Sequence, residues 1–187
     1  MLLVPTSPAW VKLAVSRFDE VLVDHAHCEK KAAAHALSVL AAFPDVPGLA
    51  RAMAKLAREE AEHLAQVIAI LEKRGLALGK DRGDPYAQGL QKAVRAPPPQ
   101  RLLDKLLISA LIEERSRERL DLLATHLPDE ELRGFYARLA ESEGGHGTLF
   151  LRFARAAAPE EFEARLAELL AVEGQLVAAL PVRAAIH

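Results

Sequence analysis

Apolar residues recur at alternating spacings of three and four residues along most of this chain. Such spacing places them on one face of a helix and predicts a series of amphipathic helices. Proline and glycine interrupt the pattern and set the boundaries of the segments. The sequence predicts four long helices, at residues 17–43, 49–74, 100–127 and 129–157, and a fifth helix at residues 159–180. It also predicts an initial loop at residues 6–10 and a short helix at residues 86–94, between the second and third long helices.

The connections between the long helices are very unequal in length. Tight turns join the first helix to the second and the third to the fourth, which makes each pair an antiparallel hairpin. A polar connection over residues 79–96, closed by three prolines, separates the two pairs. Two hairpins joined by one long crossover are typical of the ferritin-like fold. The sequence therefore predicts an all-α, ferritin-like four-helix bundle with a C-terminal fifth helix, as a single domain over residues 1–187.

A glutamate interrupts the apolar stripe near the middle of each long helix: Glu29, Glu60, Glu113 and Glu143. An unpaired carboxylate in a core costs several kcal/mol, and four that faced one another would also repel. Either these side chains reach water, as in a metal-free bundle with a solvated polar seam, or cations lie among them. Two divalent ions would balance the four negative charges.

The spacing of the histidines favours the metal hypothesis. Glu60 and His63 form one Glu-x-x-His motif, and Glu143 and His146 form another, so each pair shares a helix face. A core glutamate precedes each motif by about thirty residues, which is the ligand set of di-iron and di-manganese carboxylate bundles. Oxygen-rich ligation with few imidazoles and no thiolate suits iron or manganese better than structural zinc. The predicted metal ligands are Glu29, Glu60, His63, Glu113, Glu143 and His146.

Several residues near these six are expected to lie outside the site. His25 shares the stripe of the first helix and is expected to be a structural histidine, whereas Glu173 is expected at the surface. The glycines at 144–145 either leave room beside the metals or allow tight helix packing. Four further glutamates lie off the core stripes, namely Glu59, Glu62, Glu114 and Glu141.

The global charge sets no requirement for a polyanionic partner, because 24 basic and 26 acidic residues give a formal net charge of −2. Nucleic-acid binding would need a local basic patch. The basic residues gather in places that predict either a solvated face or a phosphate-binding rim: Lys30, Lys31, Lys73, Arg74, Lys80, Arg82, Arg115, Arg117 and Arg119.

The single cysteine, Cys28, allows no disulfide within the chain, which suits a reducing compartment. We see neither a signal peptide nor an apolar run of about 18 residues that could span a membrane. A cytoplasmic location is therefore expected.

Longer motifs resemble one known family. They include residues 24–33 (DHAHCEKKAA), residues 56–63 (LAREEAEH), Ile112 to Ser116, Glu118-Arg119, and Ser142-Glu143 followed by His146. Together they look like the tRNA hydroxylases that act on 2-methylthio-N6-isopentenyl-adenosine, and the similarity runs from about residue 10 to residue 153.

The resemblance implies a non-haem di-iron monooxygenase with a ferritin-like fold. Such an enzyme uses O2 and electrons from an external reductase to hydroxylate the isopentenyl group of the modified adenosine in tRNA. The matching metal ligands are the same six residues that the helix stripes indicate. The competing interpretations are a ferritin-like iron-handling protein and a peroxide-consuming di-metal enzyme.

Overall fold

The computed structural model describes residues 2–187, and over these residues it contains helices and no strand. None of the helices in this range is long and apolar enough to cross a membrane. The helices are α1 (Pro8–Ser16), α2 (Phe18–Ala42), α3 (Leu49–Lys73), α4 (Pro85–Gln91), α5 (Pro98–His126), α6 (Glu130–Ala157) and α7 (Phe162–Ala179).

One compact unit comprises Ser16–Gly83 together with Ala184–Ile186, and its main feature is the hairpin of α2 and α3. Gly48 precedes α3 with a φ of 76°, in the left-handed region that glycine adopts without a Cβ penalty. After α3, Gly75 has a φ of 69°, and the Leu76 N–H donates to the Leu71 carbonyl. This is a Schellman ending, and it stops the helix at the glycine that the sequence pattern indicated.

The other compact unit comprises residues 2–15, Asp84–Arg183 and His187. Within it α5 and α6 pack along their lengths as an antiparallel hairpin, and α4 and α7 pack on each other and on α5. Asp129 caps α6 because its side chain accepts a hydrogen bond from the Leu132 N–H. Asp84 caps α4 in the same way, through the Ala87 N–H.

The predicted long helices are all present, with ends that differ by a few residues. The initial loop predicted at residues 6–10 is wrong in part, because Pro8 begins the nine-residue helix α1. Pro8 suits a first helical position, but a helix of two turns carries too few apolar positions to show a period. The short middle helix begins one residue early, at Pro85, and ends at Gln91.

Two charged residues that were expected in solvent lie in the core instead. The side chains of Arg115 and Glu173 are both 0% exposed, and Arg115 Nη2 lies 2.6 Å from Glu173 Oε1. The Tyr86 hydroxyl donates a further hydrogen bond to the same carboxylate oxygen. Arg115 and Glu173 neutralise each other although 58 residues of sequence separate them. The apolar spacing within a single helix does not reveal such a pair.

Candidate metal centre

The hairpin of α2 and α3 brings together three of the six predicted ligands, Glu29, Glu60 and His63. His63 Nδ1 lies 3.6 Å from Glu29 Oε2 and 3.8 Å from Glu60 Oε2. One ligand atom from each of the three lies within 4.8 Å of the others. We call this group the α2–α3 cluster. In this geometry the Glu-x-x-His motif and the preceding glutamate converge within one hairpin.

Both carboxylates of the α2–α3 cluster are buried, since Glu29 is 5% exposed and Glu60 is 1% exposed. They occupy the stripes that Leu22 and Leu56 continue along α2 and α3, so the helices that bury the leucines also bury the acids. Burial of two carboxylates disfavours their charged form unless a positive charge is close. The cluster is therefore an environment that favours a cation.

His25 lies one turn before Glu29 on α2 and is 1% exposed. Its Nε2 lies 2.6 Å from Glu29 Oε1. A carboxylate only accepts hydrogen bonds, so the imidazole N–H donates and fixes the orientation of the Glu29 side chain. The histidine thus has the structural role that was expected, and it leaves the second oxygen of Glu29 directed towards His63. Such support is common behind metal-binding carboxylates.

The hairpin of α5 and α6 holds the other three predicted ligands, Glu113, Glu143 and His146. His146 Nδ1 lies 3.2 Å from Glu143 Oε2. One ligand atom from each of the three lies within 4.8 Å of the others. All three residues are at most 8% exposed. We call this group the α5–α6 cluster, and it repeats the composition of the α2–α3 cluster.

A third glycine, Gly147, follows the second motif and was not considered in the sequence analysis. It is buried, and a Cβ built there would lie 3.6 Å from Glu113 Cβ and 3.8 Å from the Ala110 carbonyl oxygen. Both distances are ordinary van der Waals contacts, so α6 packs against α5 at Gly147, at the level of Glu113. The spacing of Gly147 from Glu143, one helical turn, would have been the signal for it in the sequence.

The glycine pair at 144–145 faces away from the α5–α6 cluster. A Cβ at Gly144 would lie 3.1 Å from the Arg117 Cδ, whereas a Cβ at Gly145 would meet nothing within 4 Å. Gly145 is exposed. The sequence left two interpretations, room beside the metals or tight helix packing. Gly144 fits the second, since it packs next to Arg117, and neither glycine opens space beside the α5–α6 cluster.

The neighbouring glutamates are engaged elsewhere, as their positions off the stripes indicated. Glu114 accepts hydrogen bonds from Arg117, and this pairing holds the pKa of Glu114 below its usual value. Glu59 pairs with Lys55 at 3.0 Å, and Glu62 lies 3.6 Å from Arg58. Glu141 is exposed. None of these four side chains belongs to either cluster.

The donor set of each cluster is two carboxylates and one imidazole. Carboxylate oxygen with a minority of imidazole nitrogen suits iron or manganese, and the absence of thiolate argues against a structural zinc site. The clusters are thus compatible with metal binding.

Comparison with known proteins gives one consistent result. The model of the family tRNA-(MS[2]IO[6]A)-hydroxylase (MiaE) matches residues 1–187. A tRNA 2-(methylsulfanyl)-N(6)-isopentenyladenosine(37) hydroxylase from Pseudomonas putida is 41% identical over 174 residues, which are 92% of this chain and 84% of that relative. A hydroxylase of the same name from Salmonella typhimurium is 38% identical over 125 residues, which are 67% of this chain and 46% of that relative.

A solved structure is similar along the whole chain. It is described as protein 43 with aldehyde deformylating oxygenase activity from Synechococcus, and it matches with a TM-score of 0.95 at 39% identity, covering 100% of this chain and 94% of that one. This similarity confirms the all-α, ferritin-like fold class that the sequence predicts. The full-length family match and the identity to the Pseudomonas putida relative show that the chain belongs to the tRNA-(MS[2]IO[6]A)-hydroxylase family.

Proposed function

We propose that this chain is a non-haem di-iron monooxygenase that hydroxylates the isopentenyl group of 2-methylthio-N6-isopentenyl-adenosine in tRNA. The observation that carries the proposal is the family match over residues 1–187, within which two hairpins each converge on two carboxylates and one imidazole. The relatives in Pseudomonas putida and Salmonella typhimurium carry the name of this activity. The donor set is compatible with a di-metal oxygenase, and the family supplies the activity and the substrate class.

In this proposal residues 1–187 form one ferritin-like domain, and the α2–α3 and α5–α6 clusters combine to hold two iron ions. The support is the balance of charge: the clusters contribute four carboxylates, and two divalent ions neutralise them while the imidazoles of His63 and His146 complete the donor set. Manganese is the alternative metal. When bound, the two ions would supply the reductive activation of O2.

The side chains of the two units have separate tasks in this reaction. His25 holds Glu29 in a fixed orientation. Fully buried apolar residues extend the stripes on both sides of the glutamates and would exclude water from the reacting carbon, notably Leu56, Val67, Leu106, Leu120 and Phe150. Excluding water protects an oxidant strong enough to break an allylic C–H bond.

The stoichiometry of the proposed hydroxylation defines which partners the enzyme needs. One C–H bond becomes C–OH, one oxygen atom of O2 enters the product, and the other leaves as water with two electrons and two protons. The electrons come from an external reductase in this proposal. A cytoplasmic location is part of this proposal, because the enzyme would meet its tRNA substrate there.

The test is a hydroxylation assay with labelled oxygen. Reduced, iron-loaded protein is incubated with prenylated tRNA and ¹⁸O2, and the nucleosides are analysed by mass spectrometry. We expect one ¹⁸O atom in the isopentenyl-derived side chain. No incorporation by protein that holds its full complement of iron would reject the substrate assignment.

A matched pair of variants on α3 links the activity to the metal. Glu60→Gln removes a buried carboxylate of the α2–α3 cluster, whereas Glu62→Gln removes an exposed one two residues away. We expect Glu60→Gln to lower bound iron and abolish hydroxylation, and Glu62→Gln to change neither. Equal iron binding by both variants would contradict the assignment of Glu60.

A second candidate follows from the solved structure, which is described as having aldehyde deformylating oxygenase activity. The same reduced, iron-loaded protein can be given a long-chain aldehyde in place of tRNA. Turnover of the aldehyde without turnover of prenylated tRNA would favour this second function.

A further inference from the structure

The basic residues that the sequence gathers into clusters have different environments in the structure. Arg115 is buried against Glu173, and Arg117 pairs with Glu114 and Asp121. Arg74 pairs with Asp19 at 2.6 Å. These guanidinium groups are neutralised within the protein, so they offer little positive charge to a partner.

The compact unit of α2 and α3 carries a different group of basic residues. Lys30 and Lys31 lie on α2 directly after Glu29, and Lys80 and Arg82 lie in the loop that follows α3. Asp81 stands between the last two in the chain. We call Lys30, Lys31, Lys80 and Arg82 the basic patch. Four cations are gathered here with one carboxylate among them.

Asp81 attaches the loop to α2. Its Oδ2 lies 3.1 Å from the Lys30 Nζ, and its Oδ1 lies 3.8 Å from the Lys31 Nζ. Its Oδ1 also accepts a hydrogen bond from the Gly83 N–H at 2.8 Å. Gly79 and Gly83 both have positive φ, 63° and 79°, which lets the chain bend tightly on each side of Asp81.

This attachment leaves two cations for a partner. Lys80 and Arg82 are exposed, and within residues 2–187 neither of them makes an ion pair. Lys30 is also accessible, with 44% of its side chain exposed, although it pairs with Asp81 and lies 3.0 Å from His27 Nδ1. The loop therefore presents unneutralised positive charge beside α2, at the level of the predicted ligand Glu29.

From this arrangement we propose that the basic patch is a contact surface for the phosphate backbone of the tRNA substrate, with Lys80 and Arg82 as its main contacts and Asp81 as the residue that positions them. The inference rests on the proposed function, which requires a polyanionic partner. A chain with a formal net charge of −2 attracts such a partner only through a local concentration of cations. Contacts of lysine and arginine with phosphate supply affinity that does not depend on base sequence.

The test measures binding separately from catalysis. Iron-loaded wild-type protein is titrated into fluorescently labelled, unmodified tRNA, and the dissociation constant is determined by anisotropy over a series of salt concentrations. The double variant Lys80→Ala, Arg82→Ala removes two positive charges from the patch. We expect it to bind at least about tenfold more weakly and to reduce the slope of log affinity against log salt by about two.

A matched control removes the same charge elsewhere in the same compact unit. Lys55 and Arg58 on α3 are 67% and 68% exposed, and they pair with Glu59 and Glu62, respectively, of their own helix. The double variant Lys55→Ala, Arg58→Ala should keep wild-type affinity within about twofold and an unchanged salt slope. Circular dichroism should give identical helix content for all three proteins.

Two results would overturn the inference: unchanged tRNA binding by the Lys80→Ala, Arg82→Ala variant, or an equal loss in the Lys55→Ala, Arg58→Ala control. An equal loss in the control would indicate that the affinity for tRNA depends on the total charge and not on the position of the basic patch. Because the titration uses unmodified tRNA and involves no turnover, it stands apart from the hydroxylation assay. Patch-dependent binding without hydroxylation would reject the proposed function alone, and hydroxylation with patch-independent binding would reject this inference alone.

Discussion

At the scale of single residues, the buried pair of Arg115 and Glu173 shows how a charge is tolerated in this core. Arg115 Nη2 also donates to the Val4 carbonyl, and its Nη1 donates to Thr6 Oγ1, so the guanidinium is satisfied on several sides. Burial, and next the nearby Glu173 charge, raise the pKa of Tyr86 well above its usual value, so the phenol stays protonated and donates to Glu173. The burial of Arg115, Glu173 and Tyr86 therefore depends on the hydrogen bonds among all three side chains.

Glu173→Gln should destabilise the protein strongly, because it removes the negative charge and leaves the Arg115 cation buried. Breaking a buried pair from one side typically costs 3–5 kcal/mol, and we expect about 3 kcal/mol because Glu118 still neutralises part of the charge. Urea denaturation followed by circular dichroism measures the change. Glu168→Gln, on the same helix but 64% exposed, should cost under about 1 kcal/mol. A Glu173→Gln loss as small as that control would refute the structural role.

At the scale of elements, a second charged group fixes α5 and α7 to the connection that precedes α5. Asp104 is 0% exposed and accepts hydrogen bonds from Arg95, in the connection, and from Arg165, on α7. Burial raises the pKa of Asp104, but the hydrogen bonds from the two arginines outweigh it and bring the pKa below the usual value of 3.8. The ionised form of Asp104 is therefore more strongly favoured in the folded state than in the unfolded state.

This lowered pKa predicts how the stability depends on pH. A carboxyl whose folded pKa is depressed stabilises the protein above its unfolded pKa and loses that contribution as the pH falls through the folded pKa. Asp104→Asn should therefore be markedly less stable than wild type at pH 7. The difference between the two proteins should shrink as the pH drops below about 4. Urea denaturation at several pH values measures it, and a constant difference from pH 7 to pH 3 would contradict this assignment.

The long helices could be predicted because their signals lie within one helix, and each cluster because its signals lie within one hairpin. Apolar spacing defined α2, α3, α5 and α6, and the motif at Glu60 and His63 needs only the geometry of a single turn. The burial of Arg115 could not be predicted, since its compensating partner Glu173 lies far along the chain on another helix. The helix α1 is too short to display a period.

At the scale of the whole molecule, the central feature is the balance between buried carboxylates and cations. The α2–α3 and α5–α6 clusters place two buried carboxylates in each unit, and folding would be opposed by their desolvation if no cation joined them. In the proposed function two metal ions would remove this cost, and the same carboxylates would hold them. The basic patch adds the complementary charge at the surface, where a polyanionic substrate would bind.

The most direct test is anomalous diffraction from crystals of the iron-loaded protein, with data collected on both sides of the iron absorption edge. We expect two iron peaks per chain, both bounded by Glu29, Glu60, His63, Glu113, Glu143 and His146. A single peak, peaks at other residues, or no iron signal from protein that retains its fold would contradict this expectation.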